Sequence, residues 1–552
     1  MNSNWNSIPS ELRDEYINQL INYRVVISGS FTTNQQSFID MSNGNDNSNK
    51  IKAEEYLEYV LLTDLYGLKL AVVDKDITPD LLKHVYLNSD SFPGIMTENY
   101  FGRERKQTIQ FTLPIAEQLL EVIKNKSVKY CGLWKILGRE KDVKLTPEGV
   151  LKGTRPVLAP EELLNLIGGL IGQLVTLGLR SIDDNLFFIG KSFERKAFES
   201  FYENNKWFDV MCSEDFIGFD KFVDRELILS ACAIIRSLLP EDKQYDRIMY
   251  FLATSLIHKH VVAPPGVIYE ISNGLPSGHP LTSLVGTLIN YIVWNRILCK
   301  VYGGSHDINT GKPNWKSRFC GDDAQHLLKY ISNLANKIER AFKDDCPLSI
   351  EPLQQNFYPI SSRCPEFNAK FLKRCVNSDG MVYWERASIM KKLLYPPIEK
   401  KDYFEMREWV NHWIEAAPGD LAMNDLLRGY LMFIGIKPLG EVFKKEPVKL
   451  RQSLALNILE EVTLRGLLRV GTERWESTLV VSKPRKNVQA CYLPLVKTMI
   501  PTRDIQTLAL TSIMDSRQYL KYIQDPVTRE LLSGIIPSIQ RSRPPPRLRK
   551  PH

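Results

Sequence analysis

The stretch Arg318-Phe319-Cys320-Gly321-Asp322-Asp323-Ala324-Gln325-His326-Leu327-Leu328 places an acidic pair between two strand-like runs. Gly321-Asp322 suits a tight hairpin turn, because glycine readily adopts the positive φ that such turns need. The turn would present its carboxylates at the tip of the hairpin. Adjacent acids alone usually mark a solvated turn, and Asp183-Asp184 and Asp344-Asp345 also occur in this chain. The pair therefore needs a second source of carboxylates before it indicates a site.

A second group of acids precedes this pair in the chain. An apolar run leads to Asp215, and Asp220 follows shortly after it. Phosphoryl transfer by two metal ions needs acids from separate backbone elements, because the ions sit about 3.5–4 Å apart and share ligands. Asp215 and Asp322, at the ends of adjacent strands, would meet that requirement. The alternative is a helix N-cap, since Asp224 and Glu226 show that acids flank a helix here.

The third element begins at Gly274 and contains Pro276-Ser277-Gly278. Glycine leaves the backbone free, as a loop that moves with each added nucleotide would need. From Thr282 the pattern predicts a helix in which Thr282, Gly286 and Asn290 share one small polar face. Such a face beside two carboxylates fits the recognition of ribose hydroxyls. The opposite face is apolar, which an amphipathic surface helix would also explain, and it carries Leu284, Val285, Leu288, Ile289 and Ile292.

In this order and at this spacing, the residues resemble viral RNA-dependent RNA polymerases of the picornavirus-like supergroup. The segment from Asp215 to Asp220 is similar to motif A of that family. Pro276-Ser277-Gly278 with Thr282 and Asn290 is similar to motif B, and Gly321-Asp322-Asp323 is similar to motif C. Agreement in three motifs and in their order is much more specific than any one of them.

Further stretches extend the resemblance over roughly residues 90–375. Phe371-Leu372-Lys373-Arg374 resembles motif E, the hairpin that grips the primer strand. Gly153-Thr154-Arg155 is similar to the end of motif F, and Ser91-Phe92-Pro93-Gly94 to motif G on the template path. In this family basic residues upstream of motif F line the nucleotide tunnel, and they correspond here to Arg139, Lys141 and Lys144.

The resemblance implies a mixed α/β fold, the right-hand polymerase with fingers, palm and thumb, and an antiparallel palm sheet. The expected divisions are an N-terminal region with fingers in 1–205, a palm in 206–385 with a fingers insertion near 225–270, a helical thumb in 386–530, and a tail in 531–552. The tail is basic and proline-rich and is expected to be disordered, because it has too little apolar surface to bury.

The resemblance also implies the site. Asp215 and Asp322 would be ligands of Mg²⁺, with Mn²⁺ able to replace it, and Asp323 would be an accessory ligand. Asp220 would sense the ribose 2′-hydroxyl, and Arg155 would contact the incoming phosphates through charge-assisted bonds. The other residues implied for nucleotide binding are Lys141, Lys144, Ser277, Gly278, Thr282 and Asn290. Those implied for RNA binding are Gly94, Lys373 and Arg374.

Two departures from the family pattern matter. Gly286 stands where picornaviral motif B has asparagine, which points toward partiti-like double-stranded RNA virus polymerases. The segment from Leu348 to Gln355 resembles motif D, but its usual lysine aligns with Gln354 or Gln355. Glutamine cannot act as a general acid. Lys343, Lys370 or water would have to protonate the leaving pyrophosphate, and that role stays unassigned.

Composition adds weaker constraints. Lys and Arg number 71 against 64 Asp and Glu, a net charge of +7 that suits an anionic partner. The nine cysteines are scattered, so a disulfide framework is not expected. His258, His260, Cys346 and Cys364 fit no zinc spacing. The uncharged run Leu163 to Leu179 is short and glycine-rich, which favours a core helix over a membrane span.

Location and partners follow from these features and from the resemblance. The N-terminus lacks the pattern of a signal peptide, and Gly29 to Asn49 is polar enough for an exposed loop. We expect the chain to act in the host cytoplasm or inside the virion. Its partners would be the RNA template, the product strand and nucleoside triphosphates, with capsid or other viral replication proteins as further candidates.

Two other functions compete with an RNA polymerase. A reverse transcriptase shares the two-metal chemistry, but its turn usually has an aromatic residue before the acidic pair and its sugar gate is usually aromatic. Cys320-Gly321 and the acidic Asp220 argue against it. A non-catalytic RNA-binding protein would explain the basic charge. It would not need Asp215, Asp322 and Asp323.

Overall fold

A computed structural model describes residues 9–20, 23–28, 37, 39–41, 43–62, 71–73, 75–137, 139–144, 157–180, 186–189, 195–263, 267–353, 357–360, 370–376, 380–394, 403–433 and 468–470. The predicted tail in 531–552 lies outside these residues, as does most of the predicted thumb beyond residue 433.

Helices and strands alternate along the described chain. The helices are α1 (Ser10–Leu20), α2 (Ala53–Leu62), α3 (Ile95–Phe101), α4 (Arg105–Asn125), α5 (Glu162–Arg180), α6 (Arg195–Glu203), α7 (Phe219–Phe222), α8 (Arg225–Ser237), α9 (Lys243–Ile257), α10 (Thr282–Tyr302), α11 (Leu334–Asp345), α12 (Arg386–Leu394), α13 (Tyr403–Ala416) and α14 (Leu421–Phe433), with a 3₁₀ helix at Pro79–His84. The strands are β1 (Tyr23–Ser28), β2 (Ala71–Val73), β3 (Leu133–Leu137), β4 (Arg139–Lys144), β5 (Val157–Ala159), β6 (Val210–Glu214), β7 (Lys259–Ala263), β8 (Val267–Ile271), β9 (Trp315–Cys320), β10 (Asp323–Leu328), β11 (Phe357–Pro359), β12 (Arg374–Val376), β13 (Val382–Trp384) and β14 (Leu468–Val470).

A four-stranded sheet in the order β11-β6-β10-β9 forms the platform for the predicted carboxylates. All its neighbouring strands are antiparallel, with Glu214 opposite Ala324 where β6 meets β10. In the β9–β10 hairpin Cys320 faces Asp323, so Gly321-Asp322 is a two-residue turn, as the sequence predicted. Gly321 has a φ of 63°, a conformation that favours glycine.

A second four-stranded sheet, in the order β5-β3-β7-β8, joins two distant parts of the chain. β3 and β5 precede the first sheet in sequence, whereas β7 and β8 come from the segment near 225–270. β3 runs parallel to β7, with Leu133 opposite His260, and the other pairs are antiparallel. The insertion also supplies α8 and α9, which pack against α10 and α4 respectively.

Helix α10 runs through the middle of the protein. Every residue from Leu284 to Cys299 is buried, including the polar Thr287, Asn290 and Asn295. The sequence predicted a helix with one apolar and one small polar face, and the helix starts at Thr282 as expected. The helix is instead enclosed on all sides, because α2, α8, α11 and β9 all pack around it.

Three helices at the C-terminal end of the described chain form a separate apolar cluster. α12, α13 and α14 bury Ile389, Trp413 and Leu427 against one another. Helix α1, grouped with the fingers in the sequence analysis, joins this cluster through Leu12. It is also tied there by an ion pair of 3.6 Å between Glu15 and Arg386. The beginning of the chain therefore packs on the helices that were predicted as thumb.

The asparagine-rich segment before α2 was predicted to be an exposed loop, and its described part is anchored instead. Asn47 Nδ2 donates to the backbone oxygens of Lys343, at 3.1 Å, and Cys346, at 3.3 Å. The N–H of Asn49 donates to Asp224 Oδ2 at 2.7 Å. Short amide side chains bond to backbone groups easily. Asn47 uses that property to bind the end of α11, whereas Asn49 binds the start of α8 through its backbone N–H.

Helix α5 contains the apolar run that raised the question of a membrane span. By length and composition the segment Glu162–Leu179 could cross a bilayer, but 83% of it is buried inside the protein. Its glycines allow close contacts: a Cβ on Gly168 would lie 2.6 Å from Pro280 Cγ. Burial of this kind is typical of a core helix.

The start of α3 rests on a buried carboxylate. Glu161 accepts hydrogen bonds from the N–H groups of Met96, at 3.0 Å, and Thr97, at 3.3 Å. Burial raises the pKa of Glu161 to about 7. Gly94, just before the helix, has a φ of 123°, and a Cβ there would lie 2.3 Å from Glu161 Oε2 and 2.7 Å from Glu161 Cα. Only glycine fits this junction.

We therefore expect Gly94→Ala to lower the melting temperature of the protein by several degrees, since an overlap of this kind costs about 1–3 kcal/mol. The matched control is Gly304→Ala, because a Cβ on Gly304 meets no atom within 4 Å. Thermal unfolding of both variants measures the difference. Equal melting temperatures would contradict this explanation of Gly94.

Candidate active site

The predicted carboxylates come together at one end of the β6–β10 pair. Glu214 pairs with Ala324 at the end of the β6–β10 ladder. Asp215 is the residue after β6 and Asp323 is the first residue of β10, so the two lie next to each other. Residues directly opposite in an antiparallel pair have Cα atoms about 4.5–5.5 Å apart. Asp322 is the second residue of the adjoining turn. The backbone oxygen of Asp215 accepts from the N–H of Glu351 at 2.9 Å, which places the motif D-like segment on its other side.

The three acids act on one another electrostatically. Burial, and after it the negative charges of Asp322, Asp215 and Glu214, raise the pKa of Asp323 to about 7, while Lys373 opposes the shift. A carboxylate that resists ionisation among other carboxylates is stabilised by a bound cation. In the described part of the chain no three His, Cys, Asp or Glu side chains already surround a single metal position. Oxygen donors from two strands nevertheless form the kind of ligand set that Mg²⁺ takes.

A buried polar network lies directly beneath these acids. Trp294 Nε1 donates to Glu214 Oε1 at 2.7 Å, and His326 Nε2 lies 3.2 Å from Glu214 Oε2. Ser317 Oγ is 2.7 Å from the other nitrogen of His326. Burial raises the pKa of Glu214, and His326 opposes that shift. The network joins β6, β9, β10 and α10 immediately behind Asp215.

Two side chains of α10 hold the tip of the acidic hairpin. The N–H of Gly321 donates to Thr287 Oγ1 at 2.8 Å, and Asn290 Nδ2 donates to the oxygen of Gly321 at 3.1 Å. Both polar groups of the turn glycine are thus bonded to one helix. Asn290 was predicted to bind the nucleotide, but it is fully buried and serves this turn. Thr287 was not identified from the sequence, because nothing in its spacing distinguishes it from a core residue.

Gly286 lies where three elements of the site meet. A Cβ there would lie 3.4 Å from Leu275 Cδ2, 3.6 Å from Phe219 Cε1 and 3.8 Å from Gly321 Cα. Helix α10 therefore approaches the loop from Gly274 to Leu281, helix α7 and the Gly321-Asp322 turn at the same point. These are ordinary van der Waals distances, so a single Cβ would fit at this position without displacing its neighbours.

The loop from Gly274 to Leu281 is fixed by buried side chains that the sequence did not reveal. Lys259 Nζ donates to the oxygen of Gly274 at 3.0 Å, and burial lowers its pKa to about 7. The N–H of Leu281 donates to His279 Nδ1 at 3.0 Å, so the proton on Nε2 can be donated to Ser255 Oγ at 2.8 Å. Burial lowers the pKa of His279 to about 3, keeping the ring neutral.

Ser277 and Gly278 belong to this loop, and Ser277 lies near helix α7. A Cβ on Gly278 would lie 2.0 Å from the oxygen of Leu158, so only glycine fits against β5. Thr282 Oγ1 donates to the oxygen of Pro276 and closes the loop. Asp220 and Ser277 share a small cleft of about 20 Å³, together with Met41, Leu158, Gly218, Lys221 and Leu275. The structure thus brings the predicted sugar-sensing acid next to the motif B serine.

The predicted grip hairpin lies on the same side as the acids. Phe371 and Arg374 exchange backbone hydrogen bonds of 2.8 and 3.0 Å across a turn formed by Leu372 and Lys373. Both turn residues have positive φ, 52° and 64°. Lys373 is exposed, and its positive charge partly offsets the rise in the pKa of Asp323. Arg374 is only 8% exposed and lies over Trp384, so an RNA contact is retained as a prediction for Lys373 alone.

Several predicted residues are not placed by the structure. Arg155 and the rest of the motif F-like stretch lie outside the described residues, as do Gln354, Gln355 and Cys364. Lys141 and Lys144 belong to β4, which pairs with β1, and their side chains are not described.

Two other predicted residues are placed by the structure in packing or ion-pair contacts. Lys370, one candidate for the general acid, forms an ion pair of 3.3 Å with Glu385. Gly94 is buried against Glu161, where it serves packing.

Comparison with known proteins gives a consistent result. A family model described as viral RNA-dependent RNA polymerase matches residues 141–416, which is half of the chain. Among solved structures, the Sicinivirus 3Dpol RNA-dependent RNA polymerase is similar, with a TM-score of 0.53 and 13% sequence identity. The similarity covers 80% of this chain and 94% of that one. The curated proteins contain no match.

Thr287→Val tests the bonds that hold the acidic turn. The change removes the acceptor for the N–H of Gly321, and an unmade hydrogen bond of this kind costs about 1–3 kcal/mol. We expect kcat for nucleotide addition to fall about tenfold, with RNA binding unchanged. The matched control is Ser283→Ala, an exposed site one turn earlier in α10. Equal kcat values for Thr287→Val and the control would show that the turn needs no support from α10.

Proposed function

We propose that this chain, which belongs to the viral RNA-dependent RNA polymerases, extends an RNA strand at the carboxylates of Asp215, Asp322 and Asp323. The family match and the right-hand polymerase fold confirm the predicted activity, an RNA-directed RNA polymerase, and nothing favours a reverse transcriptase. The observation that carries the site assignment is the β6–β10 pairing, which sets Asp215 beside Asp323 and the turn acid Asp322.

The residues fit a pair of divalent cations. Asp215 and Asp322 would be the principal ligands and Asp323 an accessory one, with Mg²⁺ as the preferred ion and Mn²⁺ as a substitute. Burial and, after it, repulsion by the neighbouring acids raise the pKa of Asp323, which supports this fit because a bound cation stabilises the ionised carboxylate. When bound, such ions lower the pKa of an attacking hydroxyl and neutralise charge on the phosphates. The protein contributes the fixed distance between the two strands.

The nucleotide would lie between motif A and the motif B loop. Asp220 and Ser277 line one cleft there, and the carboxylate of Asp220 can accept a hydrogen bond from a ribose 2′-hydroxyl. The backbone oxygen of Asp220 accepts from the N–H of Leu275 at 2.7 Å, which ties the loop to the backbone of the proposed sugar sensor. Thr282 acts indirectly, by closing the loop. Asn290 acts by positioning Gly321.

Basic residues would hold the phosphates and the RNA. Arg155, Lys141 and Lys144 are proposed for the incoming triphosphate on the family pattern, and Lys373 for the product strand. We assign 1–205 to the N-terminal region and fingers, 206–385 to the palm with its insertion, and 386–530 to the thumb, with α1 packed on the thumb helices. Capsid or replication proteins as partners, a partiti-like affiliation, and action in the host cytoplasm or virion remain parts of this proposal.

Asp322→Ala should abolish nearly all RNA synthesis while RNA affinity stays within about twofold, because Lys and Arg supply most of the attraction to phosphates. Template-directed incorporation of labelled nucleotide measures the first quantity, and fluorescence anisotropy of labelled RNA the second. The control is Asp344→Ala, an acid on the surface of α11. Substantial synthesis by the Asp322 variant would remove this residue from the proposed metal ligands.

Asp220→Ala should reduce the preference for ribonucleotides over deoxyribonucleotides, because the variant loses the acceptor for the 2′-hydroxyl. The ratio of kcat/KM for the two substrates should fall by about tenfold or more, with template affinity unchanged. Lys221→Ala, next in the chain and lining the same cleft, is the control. If the ratio stays at the wild-type value, the sugar is read elsewhere.

A further inference from the structure

A buried cation without a carboxylate partner lies in the strand that leads to the acidic turn. Arg318 of β9 is 1% exposed, and its pKa is lowered to about 9 by burial and by the charge of Arg374. Its Nη2 donates to Gln325 Oε1 at 2.6 Å. Within the part of the chain that the structure describes, its Nε and Nη1 have no hydrogen-bond partner and no acid forms a salt bridge with it. Buried arginine is seldom left so incompletely paired.

Three aromatic rings take the place of a counter-charge. The guanidinium carbon of Arg318 lies 4.9 Å from the ring centre of Phe198, 4.5 Å from Phe201 and 4.5 Å from Phe371. Contacts of this length are cation–π interactions, which strengthen when water is excluded. Phe198 and Phe201 belong to α6, whereas Phe371 belongs to the grip hairpin. The cation therefore joins three elements that are far apart in the sequence.

A second arginine continues this arrangement into the grip hairpin. Arg374 lies 4.9 Å from the ring centre of Phe198 and 3.7 Å from that of Trp384. Phe198 is thus shared by two cations, Arg318 from the catalytic hairpin and Arg374 from the grip hairpin. We call Phe198, Phe201, Arg318, Phe371, Arg374 and Trp384 the cation–π ladder. These side chains connect β9 with the turn between Phe371 and Arg374 and with strands β12 and β13.

The ladder ends on both sides of the exposed turn that carries Lys373. Phe371 and Arg374 flank Leu372 and Lys373, two non-glycine residues with positive φ. Such a turn is strained for bulky residues and keeps its shape only when its surroundings fix it. Arg318 supplies a fixed contact on the Phe371 side, and in sequence it lies only three residues before Gly321, the first residue of the acidic turn.

We propose that Arg318 is a positioning residue that holds the grip turn, and Lys373 on it, at a set distance from the catalytic acids. The RNA 3′ end would then be kept in place between nucleotide additions. This inference rests on the proposed function, because it assumes that the turn touches the product strand. An apolar residue would fill the same space. It would lack the positive charge that attracts the faces of the Phe198, Phe201 and Phe371 rings and so holds the hairpin in place.

The experiment compares Arg318→Met and Arg318→Lys with wild type. Labelled primer–template RNA is bound to the full chain, and its dissociation rate is measured after addition of excess unlabelled RNA. We expect Arg318→Met to dissociate about tenfold faster, a loss on the scale of one desolvated cation–π contact. KM for the nucleotide should stay within about twofold, because the ladder does not contact it. Arg318→Lys, which keeps the charge, should restore part of the difference.

The matched control is Arg296→Met. Arg296 is another buried arginine, 6% exposed, with its guanidinium 5.5 Å from the ring centre of Tyr56, but it lies on α10 away from the grip hairpin. The Arg296→Met variant should have a lower melting temperature than wild type, but RNA should dissociate from it at the wild-type rate. Equal acceleration in both variants would overturn the proposal, since any buried arginine would then serve. Unchanged dissociation in a folded Arg318→Met protein would overturn it as well.

A double-mutant cycle covers the case in which Arg318→Met folds poorly. Phe371→Leu removes the ring on the grip side, and its effect on RNA dissociation should be smaller in the Arg318→Lys background than in wild type. Additive effects would show that the two residues act independently and would overturn the proposal. Nucleotide incorporation by the wild-type protein is measured in the same preparation. Its absence would contradict the proposed function, whereas the dissociation rates test Arg318 in either case.

Discussion

Three carboxylates must stay close together although they repel one another. The β6–β10 pairing sets Asp215 beside Asp323, and the two-residue turn adds Asp322. The raised pKa of Asp323 shows that the folded protein resists the full ionisation of this group. Unlike a surface ion pair, such a cluster does not stabilise the fold. Surrounding structure must hold it, which explains the number of buried polar contacts behind it.

Helix α10 supplies much of that support. Its N-terminus closes the nucleotide loop through Thr282, its middle bonds both polar groups of Gly321 through Thr287 and Asn290, and Trp294 bonds to Glu214. One enclosed helix therefore fixes the loop, the acidic turn and the strand before Asp215 relative to one another. This common support gives a physical reason for a helix that is buried on every side and yet carries polar residues.

The sequence predicted the parts of the site that depend on local pattern and order. The acidic hairpin, the helix beginning at Thr282 and the meeting of Asp215 with the acidic pair follow from strand alternation, turn chemistry and motif spacing. The sequence could not predict contacts that depend on how distant segments approach each other. In the sequence, nothing distinguishes Lys259 and Thr287 from ordinary polar residues, because their bonds to Gly274 and Gly321 form only in the folded chain. Asn47 and its neighbours read as an exposed loop for the same reason.

Anomalous diffraction from crystals of this chain soaked in Mn²⁺ would locate the metal ions bound by the three acids. We expect two peaks about 3.5–4 Å apart, both within ligand distance of the acids, with Asp215 on one side and Asp322 on the other. Manganese bound only elsewhere, or a single ion that never contacts Asp215, would contradict the claim that these two strands together hold the reacting metals.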